Sequence, residues 1–228
     1  HWDGSVWAVD TTLQTEDEIR RHLRLVASDE KKFQKAQAVA AIAKLARSDR
    51  RFVATPDQWD SNDNLLNTPA GVFNLSDGSV SPPDPLLYMS KITAVAPAGE
   101  APRWDAFIDQ VTDGDREYQS FLQRVAGYAA SGHTHEHAIF FLHGEGANGK
   151  SVFLNTIQEI MGSYATVASM DAFTESKYDR HPTDMAMLQG ARLVFAQETD
   201  SHKAWAESRI KSITGGDPIT ARRMRQDF

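Results

Sequence analysis

Residues 144–151 read Gly-Glu-Gly-Ala-Asn-Gly-Lys-Ser, the spacing G-x-x-x-x-G-K-[ST] of a phosphate-binding loop. Glycines let the backbone curl until successive N–H groups point inward at phosphate oxygens. A helix starting at the end of the loop adds its positive terminus. Lys150 is placed to neutralise β- and γ-phosphates, and the Ser151 hydroxyl to ligate Mg²⁺. Gly144, Glu145, Gly146, Ala147, Asn148, Gly149, Lys150 and Ser151 are therefore the expected contacts of ATP. With Gly near ~7% of residues, the fixed positions coincide by chance in roughly one chain in a hundred of this length.

Such a loop needs an acid on a neighbouring strand. Leu193, Val194, Phe195 and Ala196 form an apolar run of strand length, followed by Glu198 and Asp200. Ligands of open α/β sheets bind at the carboxyl ends of strands. Glu198 is the candidate for activating water, alone or while sharing Mg²⁺ with Ser151 and Asp200. Further on, Arg222, Arg223 and Arg225 fall within four residues, after a Gly215-Gly216 turn and beside Gln226-Asp227, a second turn candidate. In an acidic chain this cluster is a candidate phosphate contact for DNA, or else a solvated basic edge strand.

The elements that must hold these groups are legible in outline. Ala138, Ile139, Phe140, Phe141 and Leu142 read as a buried strand entering the loop, and residues 152–157 as a helix leaving it. Upstream, apolar spacing predicts helices over residues 16–27 and 31–47. Pro56 and a polar stretch break the pattern, residues 65–78 read as short extended segments with turns, and residues 81–102 as a Pro/Gly-rich connector. Residues 104–111 and 116–128 read as two more helices, and a helix from Glu207 ends at Gly215. The expected fold class is α/β: a mainly helical region over residues 1–136, then a P-loop core over residues 137–228 with a parallel sheet and flanking helices.

The 228 residues are 41% hydrophobic, enough to bury a core, and contain no cysteine, which excludes a disulfide framework or a Cys-based zinc site. No apolar run reaches membrane-spanning length and no signal-peptide pattern opens the chain, so no membrane partner and a cytoplasmic setting are expected. The balance of 24 Lys+Arg against 31 Asp+Glu argues against a broadly basic surface, though not against a local one.

Together these residues resemble the poxvirus-type and phage or plasmid primase-helicases, whose helicase core is of superfamily 3 in the AAA+ class. The resemblance covers nearly the whole chain. It rests on Trp2-Asp3-Gly4, Leu65-Leu66-Asn67, Gly71-Val72 with Leu75, and Leu122-Gln123-Arg124 with Gly127-Tyr128. In the core it rests on the glycine loop, on Leu188-Gln189-Gly190-Ala191-Arg192-Leu193-Val194, on Glu198, and on Lys211, Thr214-Gly215-Gly216-Asp217 and Ala221-Arg222. It implies an ATP-dependent helicase that assembles as a ring hexamer, with Lys150 and Ser151 in its first motif and Glu198 in its second. It also implies that residues 211–225, including Lys211, contact single-stranded or forked DNA in the ring channel. The family often has an acid where Asn74 stands, so Asn74 is given no role. The missing initiator Met, and an ending at Phe228 ahead of the family's sensor Asn and arginine finger, suggest a fragment truncated within the core.

Two other functions fit the loop: a small-molecule P-loop kinase with Arg222, Arg223 and Arg225 as lid arginines, and a non-enzymatic nucleotide-gated assembly module. The loop's position far into the chain weighs against the kinase. His133, His135 and His137 could share a strand face and hold Zn²⁺, but an exposed connector is the simpler account. Trp2, Trp7, Trp59 and Trp104 are scattered among non-basic residues, which favours packing over base stacking.

Overall fold

The computed structural model describes residues 1–175, 188, 190–196 and 204–215. The chain divides into two compact units, His1–Ser61 with Pro83–Ser90, and Asn62–Pro82 with Lys91–Phe228. It is a mixed α/β protein whose N-terminal region is helical.

The first unit is built on α1 (Gln14–Val26) and α2 (Ala36–Ser48). Their apolar stripes face each other, and α2 buries Val39 and Ala43. α1 begins at Leu13, a left-handed residue with φ 60° and no capping side chain of its own. Asp10 does the capping instead: its carboxylate accepts from the Gln14 and Thr15 backbone N–H at 2.9 and 2.8 Å and from the Thr15 hydroxyl at 2.7 Å. These bonds, Thr15's backbone N–H first, hold the Asp10 carboxyl far below the usual carboxylate range.

The single helix expected over residues 31–47 is broken. Lys31–Gln34 form a 3-10 turn, and Lys35 is extended at φ −75°, ψ 144°, before α2 starts. The tryptophans pack on aromatic rings. Trp2, Trp7, Trp59 and Tyr88 form a chain with centroids 5.9, 5.8 and 5.5 Å apart, tilted or edge to face. The Trp7 indole N–H donates to the Pro85 carbonyl at 2.9 Å.

The second unit holds both sheets. β1 (Leu65–Thr68), β2 (Gly71–Asn74) and β3 (Val80–Ser81) form an antiparallel meander in that order, where short extended segments were expected. α3 (Pro102–Val111) starts with Pro at its first turn, as the helix N-terminus favours, and α4 (Arg116–Ser131) is capped by the Asp115 carboxylate. α5 (Lys150–Met161) leads to β4 (Ala165–Val167), which pairs in parallel with β5 (Leu193–Phe195), Thr166 opposite Val194. α6 (Glu207–Gly215) follows.

Leu66, Met161 and Tyr164 are buried together with Phe73, Ala130, Ile157, Ala165 and Leu193 around them, so one core joins the meander, α4, α5 and the parallel pair. A second buried cluster, Ala168, Ala172 and Phe173, has Ile210 and Ile213 of α6 and Val194 and Ala196 packed against it.

Arg192, at the mouth of β5, ties these parts together. Its guanidinium donates to the carbonyls of Ala130 at 2.8 Å and Leu65 at 2.7 Å, and lies 4.6 Å from the Tyr164 ring centre. Gly132, at φ 71°, ends α4 against this side chain; a Cβ there would sit 2.9 Å from Arg192 Cγ.

The run 138–142 is a correction to the sequence reading. It pairs with no strand among the described residues. Ile139, Phe140 and Phe141 are 40%, 42% and 61% exposed, whereas a buried strand was expected. Phe140 meets Phe121 and Phe141 meets Trp205 edge to face, at 6.2 and 5.1 Å, so ring contacts replace sheet pairing. The parallel pairing falls to β4, a segment the apolar pattern did not single out.

Candidate phosphate-binding loop

The glycine loop runs from Gly144 directly into α5. Gly149 is the residue before the helix, at φ 84° and ψ −4°, so Lys150 and Ser151 are its first two helical residues. A Cβ on Gly149 would lie 2.5 Å from Val111 Cγ1 and 3.2 Å from Phe107 Cε2. Glycine is thus required twice, by the backbone angle and by the close approach of α3. The same helix supplies Trp104, which stacks on Phe153 of α5 at 5.7 Å and 24°. α3 therefore fixes both the end of the loop and the first turns of α5.

Within the loop Lys150 folds back. Its ammonium donates to the carbonyls of Gly144 at 2.9 Å and Glu145 at 3.1 Å and to Asn148 Oδ1 at 2.6 Å. Asn148 stands at a variable position of the motif, yet its amide oxygen accepts from and orients the Lys150 ammonium. Its place two residues before Lys150 was the available signal.

No backbone N–H from Glu145 to Ser151 donates a hydrogen bond among the described residues. Gly144, Glu145, Gly146, Ala147, Asn148 and Ser151 are exposed. A run of undonated N–H groups at a helix N-terminus, beside an ammonium, has the chemistry of an anion site. These groups fit a polyphosphate. The exposed Ser151 hydroxyl, on the first turn and engaged by no described residue, is available as an oxygen ligand for Mg²⁺.

Lys211 lies exposed on α6, with Nζ 3.9 Å from the Glu207 carboxylate one turn earlier. Glu198, Asp200, Arg222, Arg223 and Arg225 lie outside the described residues. β5, the strand expected to deliver Glu198 and Asp200, is present as Leu193–Phe195.

The three histidines do not converge on one point. His133 Nδ1 is 3.8 Å from the Asp63 carboxylate, His135 meets the Tyr128 ring edge to face, and His137 Nδ1 is 3.1 Å from the Thr214 carbonyl oxygen. Among the described residues, no helix is long and apolar enough to cross a membrane.

Comparison with known families divides the chain in two. Residues 142–228, which include the loop, match a family of unknown function (DUF5906). No curated protein is detectably similar to the chain. Residues 1–113 match the family described as D5 N terminal like. That domain is the N-terminal region of D5-like phage and viral primase-helicases, which are enzymes, and over this stretch the present chain is similar to them.

Proposed function

We propose that this chain is part of the ATP-driven DNA helicase module of a viral, prophage or plasmid primase-helicase, acting at replication origins or forks as a ring of identical subunits. One observation carries the nucleotide half of this reading: the loop 144–151 opens on α5 with its N–H groups undonated and the Lys150 ammonium among them. The similarity of residues 1–113 to the N-terminal region of primase-helicases supports the DNA half.

In this reading the loop N–H groups and the α5 terminus hold the β- and γ-phosphates, and Lys150 exchanges its three internal acceptors for phosphate oxygens. Ser151 would hold Mg²⁺, with Glu198 and Asp200 completing the set, and the ion would supply neutralisation of phosphate charge. Glu198 orients and deprotonates the attacking water. Lys211, Arg222, Arg223 and Arg225 contact the DNA backbone.

Phosphate release from ATP, measured with and without single-stranded DNA, tests the proposal. DNA-stimulated release that Lys150→Ala abolishes is the expected result. Transfer of the phosphoryl group to a small-molecule acceptor, or ATP-analogue binding unchanged in Lys150→Ala, would overturn it.

A further inference from the structure

We propose that residues 20–51 of the first unit form a second nucleic-acid backbone contact, separate from the glycine loop and from the arginines near the C-terminus. The charge is concentrated there to a degree the whole-chain balance hides. These 32 residues hold ten Lys and Arg against Asp29, Glu30 and Asp49, a net charge of +7. The rest of the chain then carries 14 Lys and Arg against 28 Asp and Glu, a net of −14. All ten cations are exposed.

Five of them, Arg20, Arg21, Lys32, Arg47 and Arg51, lie within salt-bridge reach of a neighbouring carboxylate, mostly within a helical turn. Such exposed pairs hold their partners weakly. The other five, Arg24, Lys31, Lys35, Lys44 and Arg50, make no ion pair among the described residues.

The geometry keeps this charge together. α1 and α2 are antiparallel neighbours: Arg47 near the end of α2 reaches Glu16 in the first turn of α1, at 3.7 Å. Arg24, Lys31 and Lys35 therefore gather around the connection between the helices, and Lys44 and Arg50 toward the opposite end. A positive surface about two helices wide, in a chain that is otherwise negative, attracts a polyanion.

Nucleic acid is favoured over an anionic membrane by the similarity of residues 1–113 to the N-terminal region of primase-helicases, and the helices turn part of their apolar surface on each other. Val39 and Ala43 are buried, and Ile19 and Leu23 are half-buried. Leu25, Val26, Leu45 and Phe52 stay exposed beside the cations, so binding to phosphatidylserine vesicles is measured alongside binding to DNA. The choice of nucleic acid among polyanions rests on the proposed function; the charge itself does not.

The test uses the full chain carrying Arg24→Gln, Lys31→Gln, Lys35→Gln, Lys44→Gln and Arg50→Gln together, titrated onto labelled duplex and single-stranded oligonucleotides across a salt series. Removing one cation from a duplex phosphate flattens the log–log salt slope by about 0.9. A slope shallower by about 3 or more, equal on unrelated sequences and with an unchanged melting temperature, is the expected result. Unchanged affinity and slope at low salt would overturn the proposal, as would an equal loss in the control Arg103→Gln/Arg116→Gln/Arg124→Gln. Loss of binding to phosphatidylserine vesicles with DNA binding intact would overturn it in favour of a membrane. ATP-analogue binding, read in the same samples and in Lys150→Ala, reports on the nucleotide proposal separately: its failure with this salt slope intact sinks that reading alone.

Discussion

Gly149→Ala tests whether α3 truly sets the glycine loop. The added methyl would stand 2.5 Å from Val111 Cγ1 and 3.2 Å from Phe107 Cε2. Carbon atoms rest at about 3.5–4.0 Å, so Val111 or the loop must retreat by about 1 Å. Overpacking of this kind costs about 1–3 kcal/mol. The backbone angle of 84° adds about 1–2 kcal/mol for any residue with a Cβ. The expected loss is about 3 kcal/mol, which in a chain of this size lowers the melting temperature by roughly 10 °C.

Val111→Ala separates the two causes. It removes the atom struck by the methyl but leaves the backbone strain. In a double-mutant cycle read by urea unfolding, Gly149→Ala should therefore cost about 1–2 kcal/mol less in the Val111→Ala background. If the loop moves instead of α3, ATP-analogue binding falls in Gly149→Ala and recovers in the double variant. A single variant that melts with the parent, binds the analogue normally and shows no coupling to Val111→Ala would refute the packing argument.

Other substitutions probe other links. In the proposed ring, Glu198→Gln should keep ATP bound and slow hydrolysis by about 100-fold or more; that phenotype in Asp200→Asn alone would mean the acid was misassigned. Arg192→Met removes charged donors from two carbonyls and a cation from the Tyr164 face, an expected loss of about 2–3 kcal/mol by urea unfolding. Arg192→Lys should recover less than half of it, because one ammonium cannot serve both carbonyls and the ring. Asp10, its carboxyl held well below the usual range, stabilises α1 fully above the unfolded pKa of about 3.9 and progressively less as pH falls through its folded value. Asp10→Asn should therefore lower helicity near neutral pH and flatten the acid limb of the unfolding profile; an unchanged acid limb would count against the cap.

Helices were easier to read from the residues than strands, and the reasons are local. α4 begins after an Asp and ends at a glycine, signals that belong to the backbone's own chemistry. The break at Lys35 was invisible because Phe33 and the alanines after it keep a helical apolar spacing across a 3-10 turn. The cap of α1 was missed because Asp10 reaches it from beyond Leu13, not from the usual adjacent position. Ala138 to Leu142 has strand composition, but pairing is a tertiary property, and rings at Phe121 and Trp205 engage that run instead.

The loop itself was legible as a motif. Its support was not: nothing in Phe107 or Val111 announces that they wall in Gly149. Arg192 read as part of a longer familiar string, and only the fold reveals the carbonyls and the ring that it joins.

The folded-back Lys150 has a consequence for energetics. Its ammonium already holds two carbonyls and the Asn148 amide oxygen. On the proposed reading an incoming phosphate would gain only the difference between two well-bonded states, not the full attraction of a solvated cation. In exchange the loop keeps its shape between occupants, because the cation cross-links both ends of the curl. The internal acceptors would give the ammonium a ready resting place when a phosphate departs. On the proposed reading the lysine would act as a latch with two seats, trading tightness of grip for quick exchange. Asn148→Ala, by weakening one seat, should lengthen the residence time of whatever anion takes the other.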